Sequence, residues 1–158
     1  MADHLEERGK QAYDAARGYY REGLNCAECV FKSYLDQGDA NLPPEVICLA
    51  SGFGAGIGAT RNTCGAVLGA CLAMGTKIGR RDPLAKPEMA ERVAELNAPD
   101  GIYAKFGDFI RAFEAEYGSV KCADLTAEFE DWHSRERKKH CQKIIARCAE
   151  LAVQHALK

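Results

Sequence analysis

The chain lacks a long apolar run: the longest, Ala66 to Gly75, is too short to cross a bilayer. It also lacks an excess of positive charge. A formal net charge of -2 and a pI near 6.1 argue against a nucleic-acid surface, which needs a concentrated cationic field to displace counterions from phosphates. The first ten residues, MADHLEERGK, are polar and do not read as a secretory leader. No segment alternates apolar and polar residues between turn signals as a half-buried strand does, and no repeat period is present. The expectation is a cytoplasmic protein with no membrane span and no nucleic-acid partner. At 158 residues it can bury a proper core as a single domain, 1–158.

What is present is helical periodicity, fifteen glycines and eight cysteines. Leu5, Ala12, Ala15, Ala16 and Tyr19 recur at helical spacing, and Gly23 is placed to end that helix. Asn25 offers an N-cap for CAECVFKSYLDQG, which Gly38 stops. NLPPEVICLASG predicts a short third helix opened by its prolines. Thr63 is the expected cap of CGAVLGACLAMGTKIGR, which is apolar almost all round and so belongs at the centre of a bundle. Its small-residue face, Gly65, Ala66 and Gly69, suits either a core or a homodimer interface. Pro99, Asp100 and Gly101 divide the stretch from Glu88 to Gly118 into two helices. Ser119 is expected to cap VKCADLTAEFEDWH, and RERKKHCQKIIARCAELAVQHALK reads as a final amphipathic helix. The expected fold is all-α: a single-domain bundle of about six to eight helices, with a glycine-rich loop before the central apolar helix.

Eight cysteines in a chain with no secretory leader point to metal binding or thiol redox chemistry more than to stapling, although free cysteine also serves as small apolar filler. Cys26 follows Asn25, Cys64 follows Thr63, and Cys122 lies three residues after Ser119, which puts three cysteines in first helical turns. The unsatisfied N–H groups there favour thiolate over thiol, so depressed thiol pKa values are expected. Cys141 follows the basic run RERKKH, where Lys138 and His140 would favour its anion. Cys48 and Cys148 occupy apolar helical positions and read as core; Cys71 is ambiguous, and Cys29 makes a C-x-x-C pair with Cys26.

No strand precedes that pair, so it is not thioredoxin-like and stands as a secondary redox candidate. A zinc knuckle would want a second pair at tight spacing. GFGAGIG has the wrong spacing for a dinucleotide fingerprint, and GIGATRNT lacks the lysine of a phosphate loop. Its backbone N–H groups, with Arg61, could donate to a thiolate, a bridging sulfide or a small anion; a tight turn between packed helices is the plainer reading. Trp132 reads as a core or interface anchor, RERKK as a solvated helix face, and the histidines as solvated. Cys141 beside His140 is a weak thiol-enzyme candidate, since adjacent helical residues point about 100° apart.

At these cysteines the chain resembles a family of small redox-active proteins labelled by its cysteine pattern, C_GCAxxG_C_C. The matching pieces are NCAE at Asn25 to Glu28, LASGFGAGIG, CGAVLG at Cys64 to Gly69, GSVKCADL around Cys122 and HCQKIIARCAE around Cys141, together spanning about residues 25–151. The resemblance implies a helical domain with four functional cysteines, here Cys26, Cys64, Cys122 and Cys141. A related module attached to a multihaem cytochrome has been considered to hold a four-cysteine iron–sulfur site. The implied function is therefore a redox protein that binds a 2Fe-2S cluster or cycles its thiols as disulfides, with an unidentified redox partner protein. The alternative is a structural zinc site, or a helical binding module with core cysteines and no cofactor. Cys29, Cys48, Cys71 and Cys148 are additions to the pattern.

Overall fold

The computed structural model describes residues 1–158 and is all-α. Seven helices occur in order: α1 (Ala2–Arg21), α2 (Cys26–Leu35), α3 (Gly65–Ile78), α4 (Met89–Asn97), α5 (Ile102–Tyr117), the single turn α6 (Cys122–Leu125) and α7 (Arg135–Leu157), with a 3-10 helix (Pro44–Phe53) between α2 and α3. No helix is long and apolar enough to cross a membrane.

Local signals set most boundaries. Gly23 and Gly38 take positive φ just beyond α1 and α2, and Gly118 caps α5 in the left-handed region. Asn25 accepts from the Glu28 N–H while Glu28 accepts from the Asn25 N–H, a complete capping box. The same two residues tie α2 to the 3-10 helix: Asn25 Nδ2 donates to the Ser51 carbonyl at 3.0 Å, and Ser51 Oγ donates to Glu28 at 3.0 Å. The chain does break at Ala98–Gly101, as Pro99 requires.

The core lies where α7 packs against α1, α2 and α3. Phe31, Tyr34, Met74, Phe109, Phe113 and Ile145 are its largest members, each at most 2% exposed. Burial at this scale, about 25 cal/mol per Å2 of apolar area, is what holds the bundle together. Central α3 crosses α2 closely because it presents glycine there. A Cβ at Gly69 would lie 2.5 Å from the Ala27 carbonyl oxygen, and one at Gly65 would meet the Cys26 sulfur and lie 2.6 Å from the Phe53 carbonyl oxygen. α4 buries none of its residues and rests beside α5.

Three expectations are corrected. The third helix is 3-10 rather than α, with a threefold turn that rotates Cys48 out to solvent instead of into the core. Cys64, not Thr63, is the N-cap of α3. The segment after Ser119 forms only one helical turn capped at Lys121; Ser119 instead accepts from the Lys121 N–H and donates to Asp124.

The glycine-rich loop is a left-handed turn. Ala55, Gly56, Ile57, Gly58 and Ala59 all have positive φ, as does Arg61. Each non-glycine residue there costs about 1–2 kcal/mol, and β-branched Ile57 is the least suited of them. Bonds from Gly58 N–H to the Gly52 carbonyl, Arg61 N–H to Ala55 and Asn62 N–H to Gly56 offset that cost. Gly56 is obligatory: its φ is 73°, and a Cβ would lie 2.7 Å from the Arg61 backbone. Gly52 and Gly54 do not take positive φ, so the alternate-glycine pattern serves the turn at only two of its four positions.

Candidate functional site

The left-handed turn ends at Asn62, and the next residues meet the segment before α6. Thr63 and Lys121 form an antiparallel bridge; the Cys64 N–H donates to the Val120 carbonyl at 2.7 Å and the Cys122 N–H to the Asn62 carbonyl at 2.7 Å. Cys64 and Cys122, distant in sequence, thus sit on two paired strands of backbone. Cys26, the first residue of α2, lies over Gly65, where the missing side chain leaves room for its sulfur. Cys141 comes from the second turn of α7. All four line one cavity of about 210 Å3, together with apolar Ile144, Ile145 and Leu125 and with Tyr20, Trp132 and Arg137. The other four cysteines lie outside it: Cys29 and Cys148 are fully buried in the core, Cys71 is half-buried, and Cys48 is exposed.

The cysteines are all free. Helix termini do not depress their pKa values as expected, because burial outweighs the N–H groups. Burial pushes Cys64 up to about 12, assisted by the neighbouring Cys26, while the Val67 and Ala66 N–H groups pull the other way. Burial also raises Cys26, against the opposing pull of the Ala55 and Ala27 N–H groups. Cys122 is raised by burial and by Cys141, with Arg61 and Arg137 opposing. Burial raises Cys29 to about 12 and Cys71 to about 11.

These shifts set thiol reactivity. Alkylation runs through the thiolate, whose fraction grows about tenfold per pH unit below the pKa. In native, metal-free protein, iodoacetamide should label exposed Cys48 within minutes at pH 7.5. Cys64 should label far more slowly, at a rate still climbing at pH 9. Peptide mass mapping reads both, and equal labelling of Cys64 and Cys48 at pH 7.5 contradicts the assignment.

Two arginines stack on Trp132, and one of them, Arg137, lines the cavity with it. Arg137, expected in a solvated run, is only 8% exposed; its Nε donates to the Trp132 carbonyl at 2.7 Å and its Nη1 to the Tyr20 hydroxyl at 3.4 Å. The Arg61 guanidinium stacks on Trp132, 3.2 Å from the ring centroid, and that of Arg137 lies 4.1 Å from it. Trp132 is therefore the platform of a cationic wall, a role its sequence context did not signal. His140 Nε2 donates to the Leu125 carbonyl at 2.7 Å, and its ring packs on Phe129.

No three Cys, His, Asp or Glu side chains converge tightly enough to hold a single metal ion. The four thiols line one cavity instead. Fold and site together define a helical protein with a half-open, thiol-lined cavity.

The chain belongs to the family described as "Putative redox-active protein (C_GCAxxG_C_C)", whose model matches residues 24–155. It is also similar to an uncharacterized protein of Archaeoglobus fulgidus, 28% identical over 136 residues that cover 84% of each chain. No solved structure matches it.

Proposed function

We propose that the protein is an electron-transfer or redox-sensing protein whose centre is a 2Fe-2S cluster held by Cys26, Cys64, Cys122 and Cys141. The observation that carries this reading is that these four thiols, from four separate segments, line a single cavity with room between them. Four thiolates are the usual ligand set of such a cluster, and a binuclear core spreads them over two irons rather than converging them on one point. When bound, the cluster would supply reversible one-electron transfer.

The chain's own residues fit that task. The Ala55 N–H faces the Cys26 sulfur, and the Ala66 and Val67 N–H groups face that of Cys64. Donors to cluster sulfur are among the means by which a protein sets its potential. Ile144, Ile145 and Leu125 give the cavity an apolar lining, and the Arg61 and Arg137 guanidiniums favour the Cys122 thiolate. The raised thiol pKa values mean that loading releases protons and is favoured by higher pH.

A second reading rests on the bridge that sets Cys64 and Cys122 diagonally across from each other: a dithiol that gives up two electrons and two protons to an external acceptor on forming a disulfide. Anaerobic expression followed by a visible spectrum and assay of iron and acid-labile sulfide separates the two. Equal iron and sulfide with charge-transfer absorption is the expected result. A colourless protein without iron, whose Cys64 and Cys122 join on mild oxidation, overturns the cluster and leaves the dithiol.

A further inference from the structure

We infer that Cys26 and Cys29 form a peroxide-responsive dithiol that closes to a disulfide within the first turn of α2. Cys29 lies outside the cysteine cavity, and the proposed cluster makes no use of it. The two cysteines are the first and fourth residues of the helix. At that spacing helical Cβ atoms stand about 5–6 Å apart, and a disulfide needs about 3.5–4.5 Å, so closure asks for a shift of about 1–2 Å. A helix interior resists such a shift; the first residue resists it less, because its N–H has no intrahelical bond to lose. Cys29 is turned the right way. Its Sγ donates to the Leu24 carbonyl at 3.6 Å, back toward the start of the helix where Cys26 stands.

Exposure divides the roles. Cys26 is half-buried and lines a cavity of about 210 Å3, room enough for a molecule the size of peroxide, whereas Cys29 is 0% exposed. Cys26 is therefore the attacking thiol and Cys29 the resolving one. The Cys26 thiolate attacks a peroxide oxygen: an S–O bond forms, the O–O bond breaks, and the hydroxide released takes up the thiol proton as water. Cys29 then attacks the Cys26 sulfur: the S–S bond forms, the S–O bond breaks, and the oxygen leaves as a second water with the Cys29 proton. Two electrons pass from the two thiols to one peroxide. The disulfide draws the Cys26 sulfur out of the cavity, which keeps three thiols. The disulfide stands on the two cysteines alone; only its effect on loading rests on the iron–sulfur reading.

Tryptic cleavage leaves both cysteines on one peptide, Glu22–Lys32, which holds no other cysteine. Metal-free, reduced protein is treated with a stepwise excess of hydrogen peroxide, alkylated with iodoacetamide in denaturant and mapped by mass. The peptide should be two hydrogens lighter than its reduced form and carry no alkyl group, and a dithiol reductant should restore both alkylation sites. In Cys29→Ser the same treatment should leave a sulfenic acid on Cys26, which dimedone traps. The wild-type map needs no variant, so it decides even where Cys29→Ser does not fold. Two alkyl groups still on the peptide, or Cys26 joined to Cys64, Cys122 or Cys141, overturns the proposal. The disulfide form should take up severalfold less iron and sulfide than the reduced form, and undiminished uptake overturns the withdrawal of Cys26. Reduced protein that takes up no iron, with the disulfide still forming, sinks the cluster and leaves the dithiol; iron uptake with no disulfide does the reverse.

Discussion

Replacing any one of Cys26, Cys64, Cys122 or Cys141 by serine should abolish the visible absorption of anaerobically loaded protein and lower its iron content at least severalfold, whereas Cys48→Ser should leave both unchanged. The four line one cavity, so each removal leaves three thiols for two irons; Cys48 is exposed and outside it. The serine oxygen is a hard ligand in place of a soft one and favours other metals. Thermal melts of the metal-free variants separate loss of binding from loss of fold. Cys26 and Cys141, only half-buried, should be the variants closest to wild type in stability. Retention of colour by any of the four variants would remove that cysteine from the set.

The second large effect is expected at Gly65. An alanine methyl would collide with the Cys26 sulfur and lie 2.6 Å from the Phe53 carbonyl, a backbone atom that cannot rotate away. Overpacking of this kind costs about 1–3 kcal/mol and here falls at the upper end, because both obstacles are held, one at a capped helix start and one at the end of the 3-10 helix. Gly65→Ala should lower the urea midpoint accordingly and, by displacing Cys26, lose most of its iron. Gly18, in α1, has no atom near the place where its Cβ would be. Gly18→Ala should stabilise by about 0.5–1 kcal/mol through helix propensity alone. A Gly65→Ala variant as stable as wild type would mean that α2 and α3 approach less closely than described.

Where a signal is local, the sequence was readable. Asn25 with Glu28, the glycines after α1 and α2, and the Pro99 break each act within a few residues, and each stands where expected. The sequence picks out Cys26, Cys64, Cys122 and Cys141 through caps, basic context and family pattern; of the three caps only Asn25 is one, and the four cysteines line one cavity. What was not readable depends on burial or on long-range contact. Cys48 was misplaced because a 3-10 helix and an α-helix of ten residues share the same apolar composition while turning differently. The thiol pKa values run opposite to expectation because the desolvation of Cys64 is a property of its neighbours in space. Arg137 sits in a run of charges like any solvated helix face, and only α1, through Tyr20, and the Trp132 loop make it interior.

The bridge between Thr63 and Lys121 has a consequence in time. During synthesis Cys26 and Cys64 leave the ribosome well before Cys122, and Cys141 follows last. At typical elongation speeds the gap between Cys64 and Cys141 is on the order of ten seconds. Throughout that interval the early thiols have neither their cavity nor their partners, and metal or oxidant arriving then meets an incomplete set. The proposed centre is thus a property of the finished chain, and a nascent chain stalled before α7 carries cysteines without their common cavity.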